Sequence, residues 1–254
     1  MPGRQHRVAA GAALLGAAFC GAIGQGAAED AGRQFRDDFA GGKPELTWRT
    51  YSLFGEGVVE GQAVDSAPDG DGGIGVLRHP GAGAGTVSYA ETVKAEDSFA
   101  LGAEVYCPLE GAARDGALTG LAFFVDPGRS SDPEEGGFYR FVCDHRFGDA
   151  SFSLAYVGAN TGRQPLELER WPLIEQPAPT DADDGWHSLE VRVEQGLIDL
   201  YLNGGKLNER PLPVERVITD IVNVDAGYAG VYAGHLGTAS PAEARIDGFV
   251  YRVP

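Results

Sequence analysis

The sequence predicts an all-β chain folded as a two-sheet antiparallel β-sandwich, and three observations lead there. Between Asp184 and Leu207 the residues DGWHSLEVRVEQGLIDLYLNGGKL alternate with a period of two on both sides of a Gln195-Gly196 turn, which is a β-hairpin pattern. With 38 Gly and 15 Pro among 254 residues, and no sustained apolar stripe of period 3.6, a helical bundle is excluded. Short alternating runs recur between Gly, Pro, Asp and Ser clusters, the spacing of an antiparallel sandwich. No unit repeats at a fixed period, so a propeller or solenoid is not expected.

The first 28 residues stand apart from the fold. Arg4, His6 and Arg7 precede an apolar run from Val8 to Ile23, and Gly26-Ala27-Ala28 offers a small-residue cleavage site before Glu29-Asp30. That is a secretory signal peptide pattern. The run is short and Gly-rich for a retained membrane anchor, and Phe19 before Cys20 does not suit a lipidation site. The expected organisation is a signal peptide at 1–28 and a single domain at 29–254. Export to the periplasm, exterior or cell surface follows, with no membrane span.

Phe35 to Phe39 reads as the first strand, ending at the Gly41-Gly42 turn. Trp48 to Phe54, Gly57 to Gln62, Ile74 to Arg78 and Thr86 to Val93 follow, separated by Gly55, by the turn Ala67 to Gly73 and by the loop Pro80 to Gly85. Phe99 to Cys107, Ala117 to Asp126, Phe138 to His145 and Ser151 to Val157 make four successive strands. Ala159 to Asp183 is an irregular stretch carrying Pro165, Pro172, Pro177 and Pro179. In the hairpin, His187, Leu189, Val191 and Val193 share one face; Ser188, Glu190, Arg192 and Glu194 share the other. Ile198, Leu200 and Leu202 are likewise set against Asp199, Tyr201 and Asn203. Asn203-Gly204-Gly205 supplies positive-φ residues for a second turn. Pro211 to Asp225 is mixed, with one short turn of helix, and Ala229 to Ala233 and Arg245 to Val253 close the chain as strands. The charged side of each hairpin implies that one face of each sheet meets solvent.

The formal charge is −17. Loss of Arg4 and Arg7 with the signal leaves 18 basic against 37 acidic residues, or −19. Such a surface repels nucleic acid and anionic lipid, so neither is an expected partner. Cys107 and Cys143 remain after cleavage, one sharing parity with Leu101, Ala103 and Val105, the other with Tyr139 and Phe141. Both are expected to face the core, and an exported protein would oxidise them to a disulfide if their strands are neighbours. No flanking motif gives either thiol a metal or nucleophile role.

FRDDF at residues 35–39, with Trp48 after it, resembles the opening strand of laminin G-like, concanavalin A-like jelly-roll domains of bacterial exported proteins. GWHSLEVRVEQGLIDLYLNG resembles their hairpin, in which Gly-Trp-His leads into alternating strands and an Asn-Gly or Asp-Gly turn. YAGVYAGHLGTASPAEARIDGFVYRV is similar to their closing strand pair. The resemblance implies a concanavalin A-like jelly roll over nearly the whole mature chain. It leaves function open, because lectins, carbohydrate-binding modules, glycosidases, lyases and adhesion modules share that fold. It also implies a structural calcium ion tying the first and last strands together, for which Asp38 and Asp247 are the matching positions. Asp69 and Asp71 form a second, sparser candidate, and calcium would need further oxygen ligands at either place.

Glycosidases of this fold carry Glu-x-Asp-x-x-Glu on one strand. This sequence has no such run, and Asp132-Pro133-Glu134-Glu135 lies in a Pro- and Gly-flanked loop. No catalytic residue is assigned. For ligand binding, strand parity puts Glu104, Tyr106, Arg140 and Asp144 opposite the core, with Glu190, Arg192, Asp199 and Tyr201 added by the hairpin. Rings stack on sugar C–H faces while carboxylates and guanidinium groups fix hydroxyls. A solvated face with cross-strand ion pairs is the competing reading. Trp171, among prolines, is either a binding platform or a plug over the core end, whereas Trp48 and Trp186 are expected in the core. His79, His145, His187 and His235 lack metal-ligand spacing. The expected function is non-catalytic recognition of a glycan or another extracellular surface. A glycan-processing enzyme and a protein-binding adhesion module are the alternatives.

Overall fold

The computed structural model describes residues 33–52, 58–64, 67–68, 70–79, 85–94, 98–107, 117–125, 137–144, 151–159, 165–167, 174–177, 185–214, 226–235 and 242–253. They form two antiparallel sheets. The first, sheet A, contains β1 (Gln34–Asp37), β3 (Val58–Ala63), β4 (Gly73–His79), β6 (Phe99–Tyr106), β12 (Trp186–Glu194), β13 (Leu197–Leu202), β14 (Gly205–Lys206), β15 (Leu212–Pro213) and β17 (Ala242–Arg252). Sheet B contains β2 (Arg49–Ser52), β5 (Gly85–Lys94), β7 (Ala117–Val125), β8 (Gly137–Asp144), β9 (Ser151–Ala159), β10 (Pro165–Glu167), β11 (Ile174–Pro177) and β16 (Ala226–His235). The order in sheet A is β14-β13-β12-β6-β17-β4-β3, with β1 on β17 and β15 on β13. In sheet B it is β10-β9-β8-β7-β16-β5-β2, with β11 on β9. Two of these strands, β10 and β11, lie where only irregular chain was expected. Both dock on β9, whose pairing satisfies backbone groups that Pro-rich sequence does not advertise.

The hairpin forms as its alternation predicts. Gln195 and Gly196 both take positive φ, at 52° and 74°, and Asn203 and Gly204 do so at 50° and 77°. Two central residues of positive φ make the primed turns that match the twist of paired strands. Leu189, Val191 and Val193 then meet Leu202, Leu200 and Ile198 in register on the buried face.

Between the sheets lies one core. Leu101, Val105, Val191, Leu200, Ile246 and Phe249 come from sheet A, and Leu121, Phe123, Tyr139, Phe141, Phe152 and Val231 from sheet B. His187 is fully buried there, its Nδ1 3.3 Å from Asn203 Nδ2 and its ring edge-on to Phe152 at 5.1 Å. Cys107 and Cys143 are bonded, with Cα atoms 6.1 Å apart. Their strands are not neighbours in a sheet: Cys107 follows β6 in sheet A and Cys143 sits in β8 of sheet B. The disulfide therefore links the two layers through the core.

Sheet B departs from the expectation of one wet face. Leu118, Ala122, Val125, Phe138, Val142 and Tyr232, on the side turned away from sheet A, form a second buried cluster. Only sheet A presents an open outer face among the described residues.

The first strand ends earlier than expected. Asp37 is its last residue, and Phe39 takes φ 53° before a 3-10 turn at Ala40–Gly42. The Asp37 carboxylate is fully buried and accepts hydrogen bonds from the N–H groups of Phe39 (3.1 Å), Glu45 (3.0 Å) and Leu46 (3.0 Å) and from Trp48 Nε1 (2.6 Å). This one side chain fixes the path from β1 into the following loop, and Trp48 packs edge-on against Phe249.

Candidate functional site

The outer face of sheet A is built by parity. Three β6 residues that point away from the core, Ala100, Gly102 and Glu104, each lie between residues of β12 and β17. Arg192, Ala100 and Arg252 make one row across the three strands; Glu190, Gly102 and Val250 make the next; Ser188, Glu104 and Asp247 the third. The centre of the first two rows is a methyl group and a hydrogen atom. The neighbours rise on either side, and a groove of about 170 Å³ runs along β6, walled by Ser188, Glu190, Val250 and Arg252 and ending at Glu104.

A bulge in β17 shapes the groove's acidic end. Asp247 opposes Glu104 and Val250 opposes Gly102, so Gly248 and Phe249 together face Ala103 alone. Gly248 takes φ 54°, a conformation in which glycine is least strained. Its N–H donates to Asp247 Oδ1 at 2.8 Å. The bulge keeps Phe249 in the core while leaving the buried Asp247 carboxylate beside Glu104. Beyond them Tyr106 and Trp186 pair across β6 and β12, ring centroids 5.4 Å apart and planes tilted by 57°, with the Arg245 guanidinium 5.5 Å from the Tyr106 ring.

At the other end the charges are locked together. Arg192 donates to both Glu190 oxygens, at 2.9 and 3.0 Å, and lies 4.3 Å from the Tyr201 ring centroid. The Glu190 hydrogen bonds, with the charges of Glu190 and Tyr201 adding, raise the Arg192 pKa above its ordinary value. Asp199 pairs with Lys206 at 2.8 Å.

The expected ligand-binding residues thus divide. Glu104, Tyr106 and Tyr201 share the outer face of sheet A. Arg140 and Asp144 do not join them: both are on β8 in sheet B, turned outward on the opposite side of the sandwich and almost fully buried. Arg140 lies 5.3 Å from the Tyr232 ring and donates to its hydroxyl at 3.3 Å. Trp171 lies outside the described residues, as do Asp69, Asp132, Glu134 and Glu135. Trp186, expected in the core, is instead half-buried on the outer face. Its parity with Ser188 and Glu190 carries that signal.

For calcium, β1 does pair with β17. Asp38, however, lies past the end of β1 with its carboxylate against Arg36, and Asp71 accepts the Gly73 N–H at 2.9 Å as an ordinary turn residue. Among the described residues no group of three or more His, Cys, Asp or Glu side chains gathers to hold a metal. A calcium shell takes about six to eight oxygens, and Asp38 with Asp247 does not fit one. Among the same residues no helix is long and apolar enough to cross a membrane.

No family model matches the chain, and no curated protein does. Solved structures do resemble it. One is an endo-1,3-beta-glucanase from Streptomyces sioyaensis, 12% identical, covering 90% of this chain and 100% of that one at TM-score 0.53. A glycoside hydrolase family 16 endo-glucanase from Bacteroides ovatus is 11% identical, covering 87% and 99% at TM-score 0.53. The carbohydrate recognition domain of Emp47p is 13% identical, covering 87% and 94% at TM-score 0.50. At these identities the likeness is one of fold, a two-sheet antiparallel β-sandwich of the jelly-roll kind.

Proposed function

We propose that this protein is an exported, non-catalytic carbohydrate-binding domain, laminin G-like within its fold, and that it holds a glycan along the outer face of sheet A. One observation carries the reading: an open groove over Ala100 and Gly102 with the Tyr106–Trp186 ring pair past one end and charged hydrogen-bonding groups along its walls. Rings offer stacking surface to a sugar's C–H face, while Glu104, Ser188 and Glu190 offer hydroxyl partners. The solved relatives include a carbohydrate recognition domain and two glucanases, which is consistent with this ligand class. The interlayer disulfide suits an oxidising compartment outside the cytoplasm. Structural calcium is no part of the reading, since Asp37 already anchors the first strand.

A second reading has one observation in its favour. Glu104 and Asp247 oppose each other directly at the groove's acidic end, and two neighbouring carboxylates are what glycoside hydrolysis needs.

The test is a glycan array with the purified protein, in calcium and then in chelator. Saturable binding to one glycan class in both conditions, reduced about tenfold or more by Trp186→Ala or Tyr106→Ala, is the expected result. Release of reducing ends from the bound glycan, abolished by Glu104→Gln, would replace the binding reading with the hydrolytic one. Absence of binding in both conditions would sink both.

A further inference from the structure

The groove continues past Ala100 into a larger cavity of about 340 Å³, the two sharing Ala100 and Arg252. Arg33, Arg192 and Arg252 are among its lining residues, in a chain whose formal charge is −17. Arg192 and Arg252 flank Ala100 in one row. Two strand spacings separate their backbones, about 10 Å, and the alanine between them leaves the space open. Arg192 is braced by Glu190 and Tyr201. Arg33 is placed by the Val253 N–H, which donates to its carbonyl at 2.8 Å, and its guanidinium stands 5.7 Å from the Phe35 ring. Among the described residues no carboxylate pairs with Arg33 or Arg252. Phe99 and Val253 contribute an apolar floor, and Glu194 is the acidic residue on the lining.

We propose that this cavity is a subsite for the carboxylate of a uronic acid residue, so that the ligand is an acidic polysaccharide. The proposal rests on the carbohydrate reading above and narrows it. Guanidinium groups bind carboxylates through charge-assisted, bidentate hydrogen bonds, and a sugar ring bearing one has a C–H face for the apolar floor. The overall negative charge does not forbid this. At physiological ionic strength charges beyond about 8 Å are screened, while groups in direct contact are not.

Isothermal titration of the purified protein with polygalacturonate, carboxyl-reduced polygalacturonate, dextran sulfate and a neutral β-1,3-glucan tests the assignment. Polygalacturonate is expected to bind and its carboxyl-reduced form to bind about ten- to a hundredfold more weakly. Arg252→Gln and Arg33→Gln should each weaken polygalacturonate by a similar factor. Arg210→Gln, an exposed arginine off the groove, should leave it unchanged and so control for net charge. Equal binding of the reduced and native polymers, binding of dextran sulfate or the neutral glucan alone, or indifference to Arg252→Gln would overturn the subsite while leaving carbohydrate binding intact. Failure to bind any of the four would overturn the subsite, and the glycan array decides the carbohydrate reading separately.

Discussion

At Asp37 one buried carboxylate accepts three backbone N–H groups and the Trp48 indole. Replacing it with alanine removes the acceptor from the buried Phe39 N–H and from three part-buried donors, and a buried group orphaned in this way costs about 1–3 kcal/mol. Asp37→Ala is therefore expected to lower the free energy of unfolding by about 3 kcal/mol or more, read from the urea midpoint. Asp38, adjacent in sequence, faces an exposed Arg36, and removing an exposed pair costs about 1 kcal/mol or less. The sequence motif FRDDF does not distinguish the two. Alternation alone gives them opposite faces, but only the departure of the chain after Asp37, with Phe39 at φ 53°, folds the loop back over its carboxylate.

Strand pairing sets what a residue costs at the scale of the element. Gly120 in β7 lies opposite Val142 in β8, and a Cβ built there would stand 2.2 Å from the Phe141 carbonyl oxygen. Backbone cannot retreat as a side-chain tip can, so Gly120→Ala forces the two strands apart. Overpacking of this kind costs about 1–3 kcal/mol. A thermal melt is expected to show a clear drop in midpoint with the β-sheet circular dichroism signal retained at low temperature. The hairpin behaves oppositely: its turns, register and buried face follow from Gln195-Gly196, Asn203-Gly204 and simple alternation, because every contact involved is local. Glycine in β7 carries no such signal. Its requirement arises from a neighbouring strand elsewhere in the sequence.

For the whole molecule, the Cys107–Cys143 bond joins the two sheets and closes a segment with a sequence separation of 36. Chain-entropy reasoning assigns a loop of that size about 3–4 kcal/mol of stabilisation through the unfolded state. The Cys107→Ser, Cys143→Ser double variant is expected to lose that amount in equilibrium denaturation, and reductant should shift the wild-type protein towards it. A stability unchanged by both treatments would mean that the interlayer core alone holds the sheets together.

The sequence by itself determined the two-sheet architecture, the central hairpin, the inward direction of Cys107, Cys143 and His187, and the outward direction of Glu104, Tyr106 and Tyr201. These follow from a period of two and from turn chemistry, both of which act over a few residues. Tertiary structure decided the rest. Parity says that Arg140 and Glu104 both point away from the core, yet "away" is opposite for the two sheets. Sheet membership comes from long-range pairing: β6 between β12 and β17, β8 between β7 and β9. That pairing separated the expected binding residues onto two faces and buried Arg140 and Asp144. It also brought Ala100 between Arg192 and Arg252, residues that lie 92 and 152 positions further along the chain. Local periodicity fixes which way a side chain turns, and only the register of distant strands fixes what it stands beside.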